Sequence, residues 1–130
     1  MYVKENEATV NRPAGKRPLD ASNILADLNH YIKAIKAEDA WKNSDRNSIT
    51  IFKSSGLTIV LSGLHQSAVI DDYGRGGVTV LQVLTGKVSF TSDGEEQEAG
   101  QGQVIITHRD GNYFVKALED TFLLLTLKDA

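Results

Sequence analysis

The chain has no cysteine, which excludes disulfides, thiolate catalysis and thiolate-held metals. It has no basic excess: 14 Lys and Arg stand against 17 Asp and Glu, a net charge of −3. A surface of that balance has little with which to grip nucleic acid or an anionic membrane, so neither is expected as a partner. Long hydrophobic runs are missing as well. The longest, such as Phe122–Leu125, are far too short to span a bilayer. Met1 to Asp20 is polar and charged with no apolar stretch of the signal-peptide type, and a cytoplasmic location is expected. Proline is scarce, and both copies, Pro13 and Pro18, fall near the N-terminus.

The residues that are present suit one globular domain: 130 residues, 41% hydrophobic and 24% charged. That length supports a core without covalent staples. No low-complexity segment or internal repeat stands out. Residues 1–18 read as a mobile arm or an extended strap. Leu19–Ala26 is a candidate edge strand. Asp27 is a plausible N-cap, and Leu28, Tyr31, Ile32 and Ile35 come after it at helical spacing, with Asn29, Lys33 and Lys36 on the opposite face. One amphipathic helix is predicted over Leu28–Ala40, with Trp41 plugging the junction between the helix and the strands beyond it.

From Ser48 the period changes to two. Strands are predicted at Ile49–Lys53, Leu57–Ser62, Ser67–Asp71, Val78–Thr85, Lys87–Thr91, Gln97–Ala99, Val104–Thr107, Tyr113–Ala117 and Thr121–Lys128, separated by glycine- and Ser/Asp-rich turns. Many short strands at this spacing point to a β-sandwich or barrel. Val78–Leu84 and Phe122–Leu125 are apolar on both faces. One face fills the barrel, and the other needs cover from the helix, the arm or a second subunit. The division is therefore 1–47, arm and helix, and 48–130, barrel: an all-β fold with a small helical N-terminal addition.

Three stretches carry a family resemblance. Val80-Leu81-Gln82-Val83-Leu84-Thr85-Gly86-Lys87-Val88 resembles the strand, glycine turn and return strand of the first cupin motif. Gly100-Gln101-Gly102-Gln103-Val104-Ile105-Ile106 resembles the second. Val115 to Leu125 is similar to a cupin C-terminal strand pair. The chain thus resembles a small single-domain cupin of the RmlC-like type, which implies a double-stranded β-helix, or jelly-roll, barrel. Metal-binding cupins place two histidines and a glutamate before the turn glycine and a third histidine after the second motif. With six residues between it and Gly86, Thr79 falls at the glutamate position, and Gly74 and Asp72 fall at the two histidine positions. Counting forward from Gly102 puts His108 at the usual proline, Asp110 at the usual glycine and Tyr113 at the third histidine. None of the four ligand positions keeps its usual residue, so no metal and no cofactor are expected.

The residues with chemistry to offer are few. His65, Gln66, Thr79 and Tyr113 are candidate barrel liners. Asp72, Tyr73, Arg75, His108 and Arg109 are candidate mouth or lid residues, with His108 and Arg109 able to meet an anion. Each has a plainer alternative: a turn histidine at His65, a solvated turn at His108, and a ring at Tyr113 that simply fills the metal's space. His30 reads as helix surface. Gly74-Arg75-Gly76-Gly77 lacks the lysine and adjoining helix of a phosphate loop. Ser62, His65 and Asp71 or Asp72 could be drawn as a hydrolytic triad, but no nucleophile elbow surrounds a serine. Glu95, Glu96 and Glu98 read as a solvated hairpin tip.

Three functions are compatible with these residues. The first is small-molecule binding in a metal-free barrel. The second is a homodimeric interaction or structural module with a closed barrel. The third is a cupin isomerase or dioxygenase-like enzyme, which the missing ligands disfavour and for which His65 is the one nearby base.

Overall fold

The computed structural model describes residues 5–6, 17–72 and 76–130. The lid residues expected at Tyr73 and Arg75, and most of the expected strap, lie outside them. Two dipeptide strands, β1 (Glu5–Asn6) and β2 (Arg17–Pro18), pair antiparallel. The edge strand expected at Leu19–Ala26 does not form. Leu19 is buried and its carbonyl accepts from Lys53 N at 3.1 Å, but no ladder continues from that bond.

Helix α1 (Leu28–Ala37) starts at Asp27, whose side chain accepts from His30 N at 3.2 Å. It stops three residues short of the expected Ala40. Glu38 turns extended (φ −81°, ψ 150°), and the chain restarts as the short α2 (Asp39–Asn43). The cause lies across the fold. Asn47 Nδ2 donates to the Ile35 carbonyl at 3.2 Å and to Glu38 Oε1 at 2.8 Å. A helix-end carbonyl and a buried carboxylate are thereby satisfied by a side chain rather than by another turn.

The remaining strands form two antiparallel sheets. One is five-stranded, in the order β3 (Arg46–Ser54), β4 (Leu57–Leu64), β11 (Thr121–Lys128), β6 (Val78–Thr85), β9 (Val104–His108). The other is four-stranded, in the order β5 (Val69–Asp72), β10 (Tyr113–Ala117), β7 (Lys87–Ser92), β8 (Glu95–Gly100). β6, β10 and β11 have the bounds the alternation predicts. β8 is longer than predicted because Asp93 (φ 52°) and Gly94 (φ 76°) make a two-residue turn with both φ positive, which sets Ser92 opposite Glu95. β5 starts later because Ser67 sits at φ 77° in the preceding turn.

Period two assigns the two faces of the doubly apolar strands. Leu81, Val83, Leu123 and Leu125 point between the sheets, where they pack with Leu64, Val88, Phe90 and Val115. Phe122 and Leu124 point outward and pack with Ile49, Ile51 and Leu61 under the α1 stripe of Leu28, Tyr31, Ile32 and the fully buried Ile35. Burying one such aliphatic side chain stabilises by about 1.5–3 kcal/mol. The helix is thus the cover that the outer face of β4 and β11 requires. At the hairpin between β6 and β7, Gly86 has φ 96°, and a Cβ there would run into Thr121. Among the described residues no helix is long and apolar enough to cross a membrane.

Candidate functional site

One end of the barrel gathers the polar side chains. β5 ends there at Asp72, β7 at Ser92 and β9 at His108, while β6 and β10 begin there. The registers place Tyr113 opposite both Asp72 and Ser92, and Thr79 opposite Thr107.

On the β5–β6 side a buried group closes on itself. Arg109 Nε meets Asp72 Oδ2 at 3.0 Å and its Nη2 meets Oδ1 at 3.4 Å, a forked pair with side chains only 10% and 15% exposed. The Arg109 backbone is pinned at both groups: its N–H donates to Gly77 O at 2.9 Å and its carbonyl accepts from Gly76 N at 2.8 Å. Beside the pair, the Tyr113 hydroxyl donates to Thr79 Oγ1 at 3.4 Å, both residues buried. Burial pushes the Tyr113 phenol above its ordinary range. The Thr79 hydrogen bond and the Arg109 charge pull it down, and Asp72 pushes it up. Tyr113 is therefore a neutral phenol at physiological pH.

On the β7–β8 side the end is open. A cavity of about 260 Å³ is lined by Phe90, Ser92, Asp93, Glu95 and Gln97. Phe90, Ser92, Glu95 and Gln97 share the inner face of one hairpin, since Phe90 pairs with Gln97 and Ser92 with Glu95. Phe90 belongs to the barrel core and its ring lies 5.3 Å from that of Tyr113. The cavity thus has an apolar floor that backs onto the closed group.

Of the four expected liners, Thr79 and Tyr113 meet, but neither lines this cavity. His65 and Gln66 lie at the opposite end. They come after β4, whose Leu64 pairs with Thr121 at the start of β11, whereas Thr79 pairs with Leu127 near its finish. A strand of that length separates the two ends by about 20 Å. His65 is not at the mouth: its Nε2 is 2.7 Å from the Trp41 carbonyl, its Nδ1 is 3.3 Å from Asp120 Oδ2, and its ring stacks on Trp41 at 3.6 Å. It fastens α2 to the turns at that end, and neither nitrogen faces Ser62, Asp71 or Asp72, so no triad exists. Gln66 is exposed, and its backbone N–H donates to Asp120 Oδ1 at 2.9 Å. His108 and Arg109 do not act as a pair either. His108 is exposed on the outer side of β9, while Arg109 turns in to Asp72.

The cavity residues Phe90, Ser92, Asp93 and Gln97 were not legible as a site. Their local signals were a turn and a solvated tip. The inward alternation of Val88, Phe90 and Ser92 is the signal that could have found them.

The residues at the family's metal positions do not fit a divalent ion. Asp72 is engaged by Arg109, Thr79 offers a hydroxyl, and Tyr113 offers a phenol held in its neutral form. No group of three or more His, Cys, Asp or Glu side chains converges among the described residues.

No protein-family model matches the chain, and no curated protein matches it. Solved structures do. A conserved protein of unknown function from Streptococcus pyogenes is 20% identical, aligned over 85% of this chain and 90% of its own, with a TM-score of 0.67. A cupin superfamily protein from Desulfitobacterium hafniense is 14% identical over 65% of this chain and 78% of its own, with a TM-score of 0.62. An RmlC-like cupin from Desulfovibrio desulfuricans is 20% identical over 64% and 81%, with a TM-score of 0.58. With both sheets, the motif glycines and these likenesses in agreement, the fold of this chain is that of the RmlC-like cupins.

Proposed function

We propose that this chain is a small-molecule-binding cupin that works without a metal, with its ligand seated at the open side of the barrel end. The observation that carries this is the cavity of about 260 Å³ floored by Phe90. Small barrels hold one small ligand at such a place. Binding is favoured over catalysis because the buried groups next to the cavity are already committed: Arg109 to Asp72 and Tyr113 to Thr79. The test is amide chemical-shift mapping of the protein against a library of small polar fragments. Hits should move Phe90, Ser92 and Gln97, and Ser92→Trp, which fills the cavity, should abolish them. Hits that cluster elsewhere, or survive S92W, contradict the proposal.

A second reading, as a homodimer, is favoured by one specific observation. On β9, which among the described residues is an edge strand paired with β6 alone, Val104 and Ile106 are 48% and 70% exposed. Val80 lies opposite Ile106 on the same face, beyond the cover of α1. An apolar edge without charge is an invitation to pairing. A stable dimer would need to bury upwards of about 1,000 Å² in total. Sedimentation should show a dimer at micromolar concentration that Ile106→Lys converts to monomer. A wild-type monomer would refute this reading and leave the first untouched.

A further inference from the structure

Charge is distributed one-sidedly around the cavity. Asp93 and Glu95 both line it, and neither has an ion-pair partner among the described residues. Among the described residues the lining contains no cation to offset them. Glu96 and Glu98 stand on the other face of the same hairpin, where Lys87 pairs with Glu98 at 3.5 Å. Arg109, the buried cation among the described residues, is forked on Asp72. A concave site lined by one sign of charge above a low-dielectric aromatic floor focuses its field inward. An anion entering here would meet two like charges.

We infer that the cavity takes a small organic cation, an alkylammonium whose charge meets Asp93 and Glu95 while its apolar end lies on Phe90. This rests on the binding function proposed above. The residues divide the work by chemistry. The two carboxylates accept from the ammonium, Ser92 Oγ and the Gln97 carbonyl oxygen can accept further N–H bonds, and the Phe90 ring attracts both the hydrocarbon and the charge. The volume of about 260 Å³ suits a ligand of few heavy atoms. A hard divalent ion fits less well, because it wants about six or more oxygens and, among the described residues, two carboxylates line the cavity.

The test uses three probes of one shape and three charges: tert-butylammonium, tert-butanol and pivalate. Each is titrated into the full chain at low salt while the amides of Phe90 to Gln97 are monitored. The ammonium should saturate them at a concentration at least about tenfold below the alcohol, and pivalate should leave them still. The double variant Asp93→Asn, Glu95→Gln should erase the difference between ammonium and alcohol. It should keep its fold, because asparagine accepts the positive φ of position 93 as readily as aspartate. If the alcohol or pivalate binds as tightly as the ammonium, the charge class is overturned and the cavity remains a binding site. If magnesium or calcium saturates the same amides at lower concentration than the ammonium, the organic class is overturned. If none of the probes moves these amides, the cation proposal and the binding site fall together.

Discussion

The two sides of the barrel end differ in one respect that governs the rest. On the β5–β6 side the charged and polar groups are buried or part-buried and answer each other: Arg109 forks onto Asp72, and Tyr113 meets Thr79. On the β7–β8 side Asp93 and Glu95 border a cavity and have no cationic partner among the described residues. Burying a charge is tolerable only when it is paired, so the closed side has spent its chemistry on holding the fold. The open side keeps its charges in contact with solvent at little cost, with no ion-pair partner among the described residues. Asp72, Thr79 and Tyr113, which the motif count places at metal-ligand positions, thus close on protein groups here, and the cavity lies on the neighbouring hairpin.

The largest expected effect breaks the closed side. Arg109→Met takes the forked guanidinium away from the part-buried Asp72 carboxylate and should cost about 3 kcal/mol in urea unfolding. Adding Asp72→Leu should recover most of that loss, because two apolar groups replace a pair rather than orphan a charge. A double variant no more stable than the single one would mean the pair is not what that side depends on.

Tyr113→Phe should be milder, about 1 kcal/mol, the usual worth of one neutral hydrogen bond. Its pH signature is more telling. The folded phenol titrates above the unfolded one, so between the two the native state holds the proton more tightly. The contribution is fully present below the unfolded value of about 10 and is lost as pH rises through the folded one. Stability of the wild type should therefore fall more steeply with alkali than that of Y113F. Parallel alkaline slopes would contradict the buried position of the ring.

The smallest effect is expected on the open side. Asp93→Asn with Glu95→Gln should change stability by less than about 0.5 kcal/mol, as for surface positions without buried partners. A loss several times larger would show that these carboxylates hold the hairpin together, and the contrast between the sides would disappear.

Much of the fold was legible from the sequence because its causes are local. β-Branched and apolar runs set off by glycine-containing turns marked Val78–Thr85 and Tyr113–Ala117, Asp27 announced the helix start, and Gly86 marked the turn. The illegible features came from contacts between distant parts of the chain. The break at Glu38 is made by Asn47 from β3. His65 lies at the wrong end because the pairing of β4 with β11 carries it there, and no local pattern around Ser62–Ser67 encodes that register. Counting from the motif glycines did place Asp72, Thr79 and Tyr113 at one end. It could not reveal Arg109 as the partner of Asp72, because the loop it sits in reads as a solvated turn until the two strands that flank it are closed.

The most direct measurement is a crystal structure of the protein purified without chelators, with anomalous data collected to detect metals. The barrel end should show the Arg109 guanidinium forked on Asp72, Tyr113 bonded to Thr79, and any bound molecule lying over Phe90 between Asp93 and Glu95. A metal ion held by Asp72, Thr79 and Tyr113, with Arg109 swung away, would contradict the division between a closed and an open side.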